Sequence, residues 1–397
     1  MNSDARPRLV VVGCGFGGFS LLRTLRRRRW HATLVSPRNY FLFTPLLPSA
    51  AAGSVELRSI VEPARRRLRD VRVVEGSATG VDWERKVLRG RAAIGGEGFE
   101  LPFDHLVVAV GSEVATFGVE GVSEHAVSFA SIDDARAVRR RARIEDALRF
   151  VVCGGGPPGV EVAAEIHDLL AEELAEAYPD LAPRARVVLL EAAPRLLLAF
   201  DEALADYTAR HFRREGGELR TGASVRRLVS GAVELEDGET IRSDLVIWAA
   251  GSRPAGFVSE LGVELDERGR VRVGPDFRIP GRSGAWALGD CAAIGDPPLP
   301  ATAQVAQQAG AHLARNLDRL LRGLPARPFR FRSFGMLAYI GGRQALADLP
   351  GVKWSGRGAW LFWRSVYLTK LVSLSNKAKV LFDWIKARLF GRDLSRF

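Results

Sequence analysis

One supersecondary unit occurs twice in this chain, and it limits the possible folds more than any other feature. Leu9-Val10-Val11-Val12 is a short β-rich run that leads into Gly13-Cys14-Gly15-Phe16-Gly17-Gly18. A helical stretch follows from Phe19 to Arg29, then a second β-rich run from Ala32 to Val35. The pattern returns about 140 residues later. Phe150-Val151-Val152-Cys153 leads into Gly154-Gly155-Gly156-Pro157-Pro158-Gly159, a helix from Val160 to Ala177 and a strand from Arg186 to Leu190. Both are β-turn-α-β units with G-x-G-x-x-G at the turn. One such turn is a weak signal, because glycine-rich turns are common. Two in strand–turn–helix context are specific. The first glycine (Gly13, Gly154) makes the tight turn, and the second (Gly15, Gly156) lets the backbone approach a pyrophosphate. The third (Gly18, Gly159) lets helix and strand pack closely. The helix N-terminus then offers free N–H groups and a positive dipole end to the phosphates. The chain is expected to bind two dinucleotides.

A length of 397 residues is too great for one simple core and suits two domains plus an extension. Phe103–Ser112 reads as a buried strand ending in a small-residue turn at Gly111, and Asp244–Gly251 repeats that shape. Gly284–Asp290 is a further strand, ending on a carboxylate. This order predicts an α/β protein with two Rossmann-like domains, the second inserted into the first. The expected boundaries are 7–118 and 254–335 for the first domain, 119–253 for the inserted one, and 336–397 for a C-terminal membrane-associated helical region.

In such folds an acid at the end of the second strand binds the adenosine ribose hydroxyls. In the second unit this is Glu191. A carboxylate there accepts from the 2′- and 3′-hydroxyls and repels a 2′-phosphate, so NADH is expected over NADPH. The first unit departs from the rule with Ser36, whose hydroxyl bonds a ribose less strongly than a carboxylate does.

The net charge is +11, and its placement matters more than its size. Residues 351–397 hold ten Lys or Arg against two Asp, together with four of the eight Trp: Trp354, Trp360, Trp363 and Trp384. Basic residues mixed with Trp suit the headgroup region of an anionic membrane. No nucleic-acid motif accompanies the charge. Val380–Leu389 reads as an amphipathic helix, with Val380, Leu381, Trp384 and Ile385 on one side and Lys379, Asp383 and Lys386 on the other. No apolar run approaches the roughly 20 residues of a span, so membrane contact is expected from one side. The same aromatic surface also suits a homodimer contact. The three cysteines, Cys14, Cys153 and Cys291, form no CxxC pair and no metal-ligand spacing. Small buried residues are expected, with no metal and no redox-active disulfide.

These residues resemble the type II NADH:quinone oxidoreductases, the non-proton-pumping NADH dehydrogenases. Ser36-Pro37-Arg38-Asn39-Tyr40-Phe41-Leu42-Phe43-Thr44-Pro45-Leu46-Leu47-Pro48 is similar to the mitochondrial-type branch, in which Ser replaces the ribose acid. Gly154–Glu161 resembles the family's NADH loop, Ala303–Gln308 its quinone-site segment, and Phe382–Lys386 with Phe390–Asp393 its terminal region. The resemblance implies FAD on the first unit, NADH on the second and electron transfer to a quinone in a respiratory chain. It implies that Thr44 and Pro45 lie beside the isoalloxazine ring and that Asp290 accepts from the flavin's ribityl or phosphate-side hydroxyls. Gly111 and Gly251 are expected to contribute to the two cofactor sites. Glu161 would orient nicotinamide or supply protons to quinone, with Glu165 as the weaker alternative. Gln304 and Gln308, four apart on one helix face, would donate to a quinone carbonyl.

The chain departs from some members in lacking a calcium-binding EF-hand insertion. The segment between Arg139 and Phe150 is shorter than in relatives and is given no function. No presequence is visible. The expected place is therefore the cytoplasmic face of a bacterial inner membrane, with the mitochondrial inner membrane as the alternative. Two rival readings stay open: a soluble NADH-dependent flavoprotein reductase for a protein acceptor, and a non-enzymatic dinucleotide-sensing flavoprotein. A sulfide:quinone reductase shares the fold but needs reactive cysteines away from the cofactor loops.

Overall fold

The computed structural model describes residues 6–141 and 149–392. Most of the short Arg139–Phe150 segment, and Asp393 of the terminal motif, lie outside the described residues. The chain divides into two compact units, each assembled from three separate stretches. The first comprises residues 1–41, 62–113 and 252–333; the second comprises 42–61, 114–251 and 334–397.

The first unit is built on a parallel sheet. Arg8–Val12 lies at its centre, between His31–Ser36 on one side and His105–Val108 on the other. Ala285–Ala287 extends one edge, and Arg72–Asp82 extends the other before folding back into an antiparallel extension. Leu9 to Val12 are at most 3% exposed, as an apolar run covered on both faces must be. The helix after the first glycine turn is Phe16–Thr24, starting earlier and ending earlier than the pattern predicts. Arg27–Arg29 forms a separate 3₁₀ turn, because three consecutive Arg offer no apolar face to continue the helix. The Phe16–Thr24 helix packs closely on Ala303–Leu320. A Cβ on Gly310 would meet the Gly17 carbonyl at 2.2 Å, so only glycine permits this approach.

The second unit repeats the plan. Five parallel strands run in the order Ala126–Ser128, Leu245–Trp248, Arg149–Cys153, Arg186–Glu191, Glu218–Thr221. Its glycine turn feeds the helix Pro157–Asp168, whose first two positions are the prolines. Proline suits that end, where an amide N–H has no intrahelical partner. The helical path continues through a wider π-type stretch, Leu169–Leu174, to Ala175–Ala177.

The C-terminal stretch of this unit is an antiparallel three-stranded sheet followed by two helices, Arg357–Lys370 and Leu374–Phe390. The second helix is longer than the sequence pattern suggests, and its faces differ. Val380, Asp383 and Trp384 turn inward, while Leu381, Phe382, Ile385, Leu389 and Phe390 are exposed. Asp383 accepts a hydrogen bond from the Glu56 N–H at 3.1 Å, which is why an acid occupies the inner face. Among the described residues no helix is long and apolar enough to cross a membrane.

Candidate functional site

The two glycine turns have the same construction. Gly13 and Gly154 hold φ of +110° and +113°, a region that L side chains rarely adopt. A Cβ on Gly18 would stand 2.1 Å from the Gly13 carbonyl oxygen, and one on Gly159 would stand 1.8 Å from that of Gly154. These third glycines are required by helix-to-strand packing. The middle glycines differ in kind. A Cβ on Gly15 would meet nothing within 4 Å, and one on Gly156 only the Pro158 ring at 3.9 Å. Nothing in the protein needs glycine there; the open backbone is what a diphosphate requires. The residues therefore fit two dinucleotide diphosphates. On the expectation that the second turn holds NADH and the first FAD, Gly159→Ala should weaken NADH binding roughly tenfold or more by overpacking, with FAD retained. An NADH titration beside the flavin absorbance measures this.

Around the first turn, Ser36 is buried at the end of its strand and its hydroxyl accepts from the Arg38 N–H at 3.2 Å. Asp290 follows the Ala285–Ala287 strand, half-buried, with the Ser112 hydroxyl donating to it at 2.9 Å. Burial raises its carboxyl above the usual carboxylate range, and Ser112 opposes this. Such a group gains from further donors such as ligand hydroxyls. Gly111 takes φ +72° with open space where a side chain would stand.

Around the second turn, Glu191 accepts from the Gly155 N–H at 2.5 Å and from the Ala193 N–H at 2.7 Å. Its carboxylate is thus fixed against the glycine loop. Gly251 is also at positive φ, and a Cβ there would strike the Phe117 ring at 2.1 Å. Thr44 and Pro45 form a single 3₁₀ turn, Thr44–Leu46, and belong to the second unit. That turn runs into the buried Leu47–Ala51 helix.

Gln304 and Gln308 open the Ala303–Leu320 helix on a common face. The Gln308 amide uses both ends on one residue: its NH₂ donates to the Arg332 carbonyl at 2.9 Å, and its oxygen accepts from the Arg332 N–H at 3.2 Å. Its evident structural work is therefore to hold the 332 segment.

The densest chemistry lies on the Pro157–Asp168 helix. Glu161, Glu165 and Asp168 are all buried, and Glu172 continues the same face to the surface. Glu161 accepts from the Tyr339 N–H at 3.1 Å. Burial pushes its carboxyl up to about 8; the Tyr339 N–H opposes this and the nearby Glu165 adds to it. Glu165 accepts from the Ser49 hydroxyl at 2.6 Å and from Arg392 at 3.0 Å. Asp168 accepts from the Tyr339 hydroxyl and from the Gly342 N–H at 2.9 Å. Arg392, buried, also lies 4.0 Å from Asp168 and 3.6 Å from Glu172.

Sequence reasoning singled out Glu161 but gave no role to Asp168, Tyr339 or Arg392. A signal was available, because four acids at i, i+4, i+7 and i+11 make one stripe on an otherwise apolar helix. Its partners come from distant parts of the chain, Ser49 on one side and Tyr339 and Arg392 on the other, and leave no local trace.

All three cysteines are free and buried, and burial pushes their thiols up to about 12 at Cys14 and Cys153 and about 11 at Cys291. Thiols so placed are poor nucleophiles at neutral pH. Among the described residues no cluster of His, Cys, Asp and Glu could hold a metal ion.

Comparison with known proteins agrees with this construction. Residues 7–310 match the pyridine nucleotide-disulphide oxidoreductase family, and residues 334–393 match the NDH2 C-terminal domain. A probable NADH dehydrogenase of Dictyostelium discoideum is 35% identical, over 98% of this chain and 91% of that protein. An external alternative NADH-ubiquinone oxidoreductase, mitochondrial, of Yarrowia lipolytica is 35% identical, over 99% of this chain and 81% of that protein. The fold matches the structure of NDH2 from Plasmodium falciparum in complex with NADH, with a TM-score of 0.93 at 24% identity, over 98% of this chain and 100% of that one. The chain belongs to the pyridine nucleotide-disulphide oxidoreductases and, within them, to the type II NADH:quinone oxidoreductase family.

Proposed function

We propose that this chain oxidises NADH through bound FAD and reduces a membrane quinone, without pumping protons. The observation that carries the reading is the pair of glycine turns with open middle positions, in a chain of this family. FAD, when bound, would supply the redox chemistry between NADH and quinone. The chain's own residues bind, orient and move protons.

In this reading Gly13, Gly15 and Gly18 hold the FAD diphosphate, Ser36 bonds its adenosine ribose, and Asp290 accepts from the flavin's hydroxyls. Gly111 gives the backbone room at the same site. Thr44 and Pro45 flank the ring system. Gly154, Gly156 and Gly159 hold the NADH diphosphate, with Gly251 beside them. Glu191 accepts from the ribose hydroxyls and repels a 2′-phosphate. Glu161, kept protonated by burial, donates a proton to the reduced quinone oxygen. Gln304 donates to a quinone carbonyl, and Gln308 shares that role or fixes the adjoining segment through Arg332.

The protein is proposed to lie on one face of a membrane through residues 336–397, at the cytoplasmic side of a bacterial inner membrane or at a mitochondrial inner membrane. The exposed apolar side chains of the last helix support this, as does the basic tail. The same surface suits a homodimer.

The test is NADH oxidation by purified protein, with and without a short-chain quinone, read beside the flavin spectrum and repeated with NADPH. Quinone-dependent turnover and a better kcat/KM for NADH are expected. Turnover only with a protein acceptor, or stable flavin with negligible turnover, favours a rival reading. A better kcat/KM for NADPH removes the role given to Glu191.

A further inference from the structure

Arg364 is an unusual cation. It sits on the Arg357–Lys370 helix with its guanidinium over the Trp360 ring at 4.6 Å and over the Trp384 ring, from the last helix, at 4.3 Å. It is partly buried, and burial pulls its pKa down to about 10. Yet among the described residues it makes no hydrogen bond and has no carboxylate within 4 Å. Glu165 acts on it only at a distance, being already bonded to Arg392 and Ser49. Asp383, the acid of the last helix, turns inward to the Glu56 N–H.

Enclosing a guanidinium is costly unless its N–H fork is matched, and two ring faces match the charge but not the donors. Arg364 also lines a groove of about 350 Å³ between the two terminal helices, together with Arg388. The other walls are mainly alkyl: Leu361, Leu368, Leu381, Ile385 and Leu389. Four of these, Leu361, Leu381, Ile385 and Leu389, are 60%, 46%, 48% and 68% exposed, so the groove opens outward.

We propose that this groove binds one anionic phospholipid. Its phosphate is held by Arg364 and Arg388, and one acyl chain lies along the alkyl walls. Charge and shape both select that occupant. A planar guanidinium matches two phosphate oxygens, and the alkyl walls match an acyl chain rather than a free anion. The inference rests on the reading that the tail meets a membrane and narrows it to one lipid class at one site.

The test is isothermal titration of the full-length holoenzyme with dioctanoyl phosphatidylglycerol below its micelle concentration. Dioctanoyl phosphatidylcholine and inorganic phosphate serve as separate arms. Flotation with long-chain phosphatidylglycerol and phosphatidylcholine vesicles runs alongside. Saturable binding of the anionic lipid is expected, roughly tenfold tighter than the zwitterionic lipid and with no response to phosphate. Arg364→Gln should lose that tenfold preference yet still float with anionic vesicles through the remaining basic residues. Arg388→Gln, at an exposed position, serves if Arg364→Gln fails to fold.

Equal binding of both lipids, wild-type binding by the folded variants, or an equal response to phosphate overturns the lipid site. So does a dimer by sedimentation that covers the groove and excludes lipid. If the wild type floats with vesicles but shows no saturable site, the membrane reading stands and the site does not. If it floats with neither vesicle, both fall.

Discussion

Glu161→Gln is expected to slow quinone-dependent NADH oxidation about 100-fold while FAD stays bound. Gln has the same shape and keeps an oxygen for the Tyr339 N–H, which bonds Glu161 at 3.1 Å. What it loses is the exchangeable proton. Burial holds the wild-type carboxyl protonated up to about pH 8, so a proton donor is present at neutral pH. Wild-type quinone turnover should therefore decline as pH rises through about 8, and the variant should lack that limb. An acceptor that takes electrons without protons should be reduced at nearly the wild-type rate. Unchanged kcat with both acceptors would count against the role.

Stability gives a second readout with a definite sign. The folded protein binds this proton more tightly than the unfolded chain, whose carboxyl has its ordinary pKa of 4.5. The associated stability is fully present below that value and is lost as pH rises through about 8. The variant carries no such penalty. Its Tm should match or exceed that of the wild type above pH 8 and lose any advantage in acid.

Arg392→Met should produce the largest loss of stability, about 3–5 kcal/mol in the second unit. The guanidinium is 7% exposed, against Glu165 at 6% and Asp168 at 7%. Removing it leaves two enclosed carboxyls of like charge without their cation. Burial raises the Glu165 carboxyl and Arg392 opposes this, so without Arg392 that group takes up a proton and the variant should be least stable at high pH. A fall in Tm of roughly 10 °C is expected for a unit of this size. Because Arg392 follows the last helix, protease should also cut the tail of the variant faster. Adding Glu165→Gln should recover part of the loss, since it removes one of the orphaned charges. No recovery in the double variant would assign the effect to packing of the Arg stem instead.

The legible part of this protein is its local part. Runs such as Leu9–Val12 and Phe150–Cys153 specify buried parallel strands. The spacing of Gly13, Gly15 and Gly18, and of Gly154, Gly156 and Gly159, specifies the turns that follow. Hydrogen bonds in those elements close within a few residues or between neighbouring strands, so sequence pattern and structure share one period. Boundaries were less legible. The first helix stops at Thr24 because the Arg-rich stretch after it has no face to bury.

The site was legible in outline, because each glycine turn carries its own steric signature. Its electrostatics were not. The acid stripe could have been seen on the helix, but nothing near it names a partner. Arg392 lies 227 residues from Glu165, and the pairing forms only when the tail folds back on its own unit. The Gln pair showed the same limit, since spacing placed both amides on one face while only the fold committed Gln308 to Arg332.

The sequence by itself determined two dinucleotide-binding units, their turns and a basic, Trp-rich end. The tertiary structure alone decided which buried charges meet and which face of the last helix turns outward. It also decided that Arg364 lies between two indole rings and, among the described residues, without a carboxylate partner. The reason is physical. Backbone geometry follows from neighbours in the chain, whereas the energy of a buried charge depends on groups that the chain brings near only once it is folded.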